Sequence, residues 1–190
     1  MITYDQIVRT YSQFPPPRVH IPVDYAAPIS EAIQEFRHKV HAKEIVWVLC
    51  REEFMPEDDL RGFCLWMARQ VATLIVDARY LHAIEIARRY LKGEATEGEL
   101  TEVRDELHNI YAYYDGKIRV SGSVEDVLAR VVNQLVSVKP FPYSAACDIG
   151  YYLRGTPLGD SPWSTALVAK LLAYFESRER GEAFEWWEYI

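Results

Sequence analysis

The chain has 190 residues, 49% of them hydrophobic and 13% aromatic, which supplies a sizeable core and excludes an intrinsically disordered protein. A formal net charge of −7 with a pI near 5.3 argues against a general nucleic-acid binder, whose affinity comes from an excess of Lys and Arg on phosphates. Three cysteines in a chain this long exclude a disulfide framework, and no apolar run approaches the roughly 20 residues of a membrane span. The first residues lack a basic stretch followed by an apolar one, so no secretion signal is predicted. The expectation is a soluble, cytoplasmic protein with reduced thiols.

Five of the ten prolines fall in residues 1–28, including Pro15-Pro16-Pro17. Proline fixes φ and removes a backbone donor, so this segment reads as an extended arm over the core, with a short helix at Tyr4–Gln13. Residues 29–190 read as a single helical bundle.

Ile29–His41 is the first predicted helix, with Ile29, Ile33, Phe36 and Val40 on one face. The apolar run Ile45–Cys50 suits a buried strand or helix by periodicity, and its helical flanks favour helix. Pro56-Glu-Asp-Asp59 opens the next helix, Pro at the first position and acids at the positive end of the dipole. Its apolar set of Leu60, Phe63, Cys64, Met67, Val71, Leu74 and Ile75, widened by Leu65 and Trp66, predicts a central, buried helix to about Asp77.

Tyr80, Ile84, Ala87 and Leu91 share a face of the following helix, with Glu85 set to pair with Arg88 and Arg89 on the other. Gly93 stands where a left-handed C-cap belongs, and Thr96-x-x-Glu99 is a capping box. The helix it starts buries Leu100, Val103, Leu107, Ile110 and Tyr114, so the two helices form an antiparallel αα-hairpin. Asp115-Gly116 is a turn, and Lys117–Val120 alternates briefly like a short strand. Ser123-x-x-Asp126 caps a helix with Val124, Leu128, Val131, Leu135 and Val138 inward, ended by Pro140 and Pro142. Tyr143–Leu153 is a further helix. Ser161-Pro162 starts the last long one, to about Glu179, broken by Gly181. The fold class is all-α, a bundle of about seven or eight helices with an extended proline-containing N-terminal arm.

From Ala42 to about Arg104 the chain resembles an α-helical family of bacterial immunity proteins of polymorphic toxin systems. The resemblance rests on Glu44-Ile-Val-Trp47, Pro56-Glu-Asp-Asp59, Asp77-Ala-Arg79, Ala83-Ile-Glu85 and Gly93-Glu-Ala-Thr96. It implies an inhibitor that binds and occludes a toxin or effector, and it implies no catalytic residues. Family members often continue with alanine-rich helices, whereas Tyr111-Ala-Tyr-Tyr114 and Asp115-Gly116 follow here.

Glu35-x-x-His38 and Asp105-x-x-His108 have the spacing of bundle-core iron ligands, but each pair lies opposite its helix's apolar face and is expected in solvent. His38-x-x-His41 lacks a third ligand. Cys50 and Cys64 sit in apolar runs and read as core residues. No phosphate-binding glycine loop or nucleophile motif occurs, so no cofactor, metal or catalytic residue is assigned.

The C-terminal stretch is unusual. Glu176, Glu179, Glu182, Glu185 and Glu188 recur every three residues, a period that drifts around a helix and makes no single stripe. Phe184, Trp186, Trp187 and Tyr189 lie among the last of them. These aromatics either dock the C-terminus onto the bundle or present an interface. In the second case Glu182, Phe184, Glu185, Trp186, Trp187, Glu188 and Tyr189 would bind a protein with a basic surface, a toxin or a defence enzyme. An anti-defence inhibitor of phage or mobile-element origin is the closest alternative. A helical enzyme with an unrecognised or metal-dependent site is an alternative of another class, and tail-to-tail pairing of two copies a third.

Overall fold

The computed structural model describes residues 28–38, 42–52, 54–115, 124–154 and 162–187. Among them are eight α-helices, one 3-10 turn and no strand, as the all-α expectation requires. The helices are α1 (Ile29–Phe36), α2 (Ala42–Leu49), α3 (Glu57–Gln70), α4 (Ala78–Leu91), α5 (Glu97–Asp115), α6 (Val124–Val136), α7 (Pro142–Arg154) and α8 (Pro162–Glu179). Residues 1–27 of the proline arm with the Tyr4–Gln13 helix, Val40, His41, the Lys117–Val120 strand, Glu188 and Tyr189 lie outside the described residues.

Contacts divide the chain into two compact units. The first holds α1, α2 and α8, and α8 packs against both of the others. Ile33 of α1 and Ile45, Val46, Trp47 and Val48 of α2 are buried, as are Trp163, Leu167, Leu171, Tyr174 and Phe175 of α8. The apolar run at Ile45 is therefore helix. No side chain of Pro28 caps α1. Instead Glu179 of α8 accepts the Ser30 amide at 3.0 Å and the Ser30 hydroxyl, placing a carboxylate at the positive end of α1. Gln34 reaches Glu176 at 3.1 Å in the same way. α8 closes with Gly181 at φ 72°, whose amide returns to Arg178 while that of Glu182 returns to Ser177, a Schellman motif.

The second unit holds α3–α7 and residues 185–187. Helix α3 packs against α4, α6 and α7, and every residue from Leu60 to Ala68 is buried. Helix α5 packs against α4 and α6. The αα-hairpin is built as its punctuation dictates. Gly93 has φ 71°, Gly93 N–H donates to Tyr90 O at 2.9 Å and Glu94 N–H to Arg89 O at 2.8 Å. Thr96 N–H donates to Glu99 at 2.7 Å, and Glu99 N–H to Thr96 Oγ1 at 3.2 Å, closing the capping box in both directions. Glu85 pairs with Arg88, but Arg89 turns away to Glu99 and to the Glu94 carbonyl.

Several boundaries differ from expectation. α1 stops at Phe36, short of His41. α3 starts one residue after Pro56, which is its N-cap, and stops at Gln70 instead of running to Asp77. Val71, Thr73, Ile75 and Val76 are β-branched and weak helix formers, and Asp77 caps the next helix by accepting the Arg79 amide at 2.9 Å. The consequence is a 3-10 turn at Ala72–Leu74, with Leu74 outside the core and Val76 90% exposed. Helix α6 stops at Val136, and Val138, predicted inward, is 61% exposed. Ser137 ends it by bonding Lys139 through its hydroxyl.

Candidate functional site

The C-terminal stretch divides between the units. In the first, Glu182 is exposed and paired with Arg180 at 2.7 Å, and those hydrogen bonds hold its carboxyl below the usual range. Phe184 is half-buried, edge-on to Tyr174 at 5.5 Å, with the Lys170 ammonium 4.8 Å from its ring centre. Burial lowers the Lys170 pKa, because a half-desolvated ammonium is harder to charge.

In the second unit Trp186 is 3% exposed. Its ring lies over the backbone of α3 at Gly62, where a Cβ would fall 2.7 Å from Nε1. Glycine is required there because the helix backbone itself forms the floor of the slot. The Phe63 ring stands 5.4 Å away, tilted by 46°, and Trp66 stacks on Phe63 in turn. The indole N–H donates to Asp59 Oδ1 at 3.0 Å, meeting the usual need of a buried tryptophan for an acceptor. Trp187 is half-buried beneath Lys92, and its carbonyl accepts from Arg69 at 3.2 Å. Of the proposed interface residues, Glu182 and Glu185 are exposed, Phe184 and Trp187 are half-covered, and Trp186 follows the docking alternative. A ring inside the slot offers no face to another protein.

Among the described residues, a run of exposed acids lies on and just before α5. Burying Leu100, Val103 and Leu107 turns Glu102, Asp105 and Glu106 outward. With Glu94, Glu97 and Glu99, six acids stand between Glu94 and Glu106 against one base, Arg104. Glu99 is engaged by Thr96 and Arg89, and Asp105 pairs with Arg104 at 3.8 Å; Glu94, Glu97, Glu102, Asp105 and Glu106 are exposed.

Sequence reasoning missed Arg61. It is among the largest fully buried side chains. Its Nη1 donates to the carbonyls of Leu135 at 2.7 Å and Ser137 at 2.9 Å, and its Nη2 to Glu57 at 2.8 Å. The guanidinium lies 5.5 Å from the Tyr90 ring centre. It therefore satisfies the free carbonyls at the negative end of α6 and ties that end to α3. The available signal was the Glu57-to-Arg61 spacing on a helix read as buried.

The remaining candidates separate. Glu35, His38, Asp105 and His108 are exposed, as their positions opposite the apolar faces predict. Among the described residues no three His, Cys, Asp or Glu side chains converge on a metal position. Cys50 and Cys64 are buried, and burial pushes the Cys64 thiol up to about 12 against the pull of Arg61. No helix among the described residues is long and apolar enough to cross a membrane. No family model matches the sequence, and no curated protein or solved structure matches it significantly.

Proposed function

We propose that this chain is a protein-binding inhibitor of the immunity type, which neutralises a toxin or effector by covering its working surface. The observation that carries this is the acidic outer face of α5, where Glu97, Glu102, Asp105 and Glu106 stand in solvent and Arg104 pairs with Asp105. Such a face speeds encounter with a basic partner and fixes its orientation. The Leu74, Val76 and Leu81 side chains, exposed beside and at the start of α4, add apolar area to the same unit. The partner is a protein with a basic surface, bound without nucleic acid or membrane. An anti-defence inhibitor would use the same chemistry, and the activity of the captured protein separates the two.

The test is affinity capture from host lysate with the full chain and with a Glu102→Lys/Asp105→Lys/Glu106→Lys variant of equal helical content. The captured protein is then purified and its activity measured with each form. The expected result is a stoichiometric partner, inhibited by the full chain and bound at least tenfold more slowly by the variant. A captured protein that keeps its activity, or that binds both forms alike, rejects the proposal.

A further inference from the structure

Among the described residues four large hydrophobic side chains are exposed, and three of them, Leu74, Val76 and Leu81, fall within eight residues at the start of α4. Leu74 and Val76 flank the buried Ile75, and Ile75 and Asp77 have extended backbone. With Asp77 as the N-cap, Val76 and Leu81 occupy the two positions where apolar side chains ordinarily cover each other as a hydrophobic staple. Here the staple is open: Val76 is 90% exposed and Leu81 43%. The start of α4 is held by the Asp77 carboxylate instead, and Asp77 and Arg79 pair at 2.6 Å, so no net charge is set against an apolar partner at this spot.

The acids of α5 stand beside it. Helices α4 and α5 both pack on α6, so their exposed residues share the outer side of the hairpin. The Arg89–Glu99 ion pair fixes the register. Seven residues back from Arg89 and seven on from Glu99, His82 stands about level with Glu106, both exposed. Neighbouring helices lie about 8–10 Å apart, and a helix with its side chains is about 10–12 Å across. One helix laid on this hairpin reaches from the open staple to the α5 acids.

We propose that the open staple of α4 is the docking point for an amphipathic helix of the partner, whose apolar edge sits on Leu74, Val76 and Leu81 and whose Lys/Arg edge faces Glu102, Asp105 and Glu106. Charge complementarity selects this occupant. A helix with a basic border beside its apolar edge matches both features, whereas an acidic or purely polar segment matches neither or one. The acids steer the approach and the apolar contact holds the complex, so the first sets the on-rate and the second the off-rate. The proposal deepens the inhibitor reading and rests on it for the protein that carries the helix.

The probe is a synthetic Leu/Lys peptide of about 14 residues with leucines at i, i+3, i+4 and i+7, compared with the same peptide carrying glutamine for every leucine. Binding to full-length chain is read by fluorescence anisotropy. The leucine peptide should bind wild type about tenfold more tightly than the glutamine peptide. Val76→Ser/Leu81→Ser, two changes at exposed positions, should abolish that preference, and bound leucine peptide should slow amide exchange across Val76–Leu81. Equal binding of the two peptides, a preference that survives the serine variant, or exchange unchanged at Val76–Leu81 overturns the proposal. So does a wild-type chain that sediments alone as a dimer and becomes monomeric in the serine variant, because a second copy then covers this face. The two readings fail separately. Peptides that bind alike, each weakened by Glu102→Lys/Asp105→Lys/Glu106→Lys, remove the apolar anchor and leave the acidic face, whereas a captured partner that keeps its activity rejects inhibition.

Discussion

Gly62→Ala is the perturbation in which two large effects oppose each other. In a helix, alanine is favoured over glycine by about 1 kcal/mol, so at an open position this change would stabilise α3. Here the added methyl lands 2.7 Å from Trp186 Nε1 and nearer still to the pyrrole carbons, so ring and methyl cannot coexist. A tryptophan buries roughly 150–250 Å², which at about 25 cal/mol per Å² is on the order of 4–6 kcal/mol. Freedom regained by the side chain and tail offsets about 1–2 kcal/mol of this, and the helix propensity about 1 kcal/mol more. The net expectation is a loss of about 1–4 kcal/mol, read as a lower urea midpoint at unchanged slope. The assay is a double-mutant cycle followed by far-ultraviolet circular dichroism. Once Trp186 is already alanine, Gly62→Ala should be neutral or stabilising by up to about 1 kcal/mol. A variant as stable as wild type, or one equally destabilised in both backgrounds, refutes the slot as the reason for the glycine.

Arg61→Ala strands the Leu135 and Ser137 carbonyls and should cost about 3 kcal/mol in the same urea assay, with Arg61→Lys recovering less than half, since one ammonium cannot span two carbonyls and Glu57. Full recovery by lysine would show that charge alone is at work. Thr96→Ala opens the capping box and should lower stability by about 1 kcal/mol; no change in the midpoint would mean that tertiary packing alone sets the start of α5. The Cys64 thiol, pushed up to about 12 from an ordinary 9.0, keeps its proton in the folded chain where the unfolded chain releases it. Its contribution is therefore full below pH 9 and falls by about 1.4 kcal/mol per pH unit toward 12. Cys64→Ala should flatten that alkaline decline, measured as urea midpoint against pH; an identical slope would refute the assignment.

The sequence by itself determined the helical class and most of the local geometry. The turn at Gly93, the capping box at Thr96, the break at Gly181 and the buried faces of α4 and α5 follow from neighbours within a few positions, and at that range the 3.6-residue period and the cap chemistry decide. The motifs that carry the family resemblance are mostly this same punctuation: Asp77 and Thr96 as caps, Gly93 as a left-handed turn, Glu57–Asp59 at a positive helix end. They report how helices start and stop, which many functions share.

The end of α3 was half legible: the apolar stripe continues past Gln70, but the β-branched residues and the Asp77 cap outweigh it. What the tertiary structure alone decided lies in long-range pairs. Trp186 and Asp59 are 127 residues apart, and nothing in either neighbourhood names the other. Aromatics among acids describe an exposed interface and a docked end equally well; only the bare backbone at Gly62 chooses between them for Trp186. Arg61 looks like an ordinary surface partner of Glu57 until the end of α6 brings two free carbonyls to it, 74 and 76 residues downstream. Burial of a polar group is decided by whether distant chain satisfies it, and that information arises only when the helices pack.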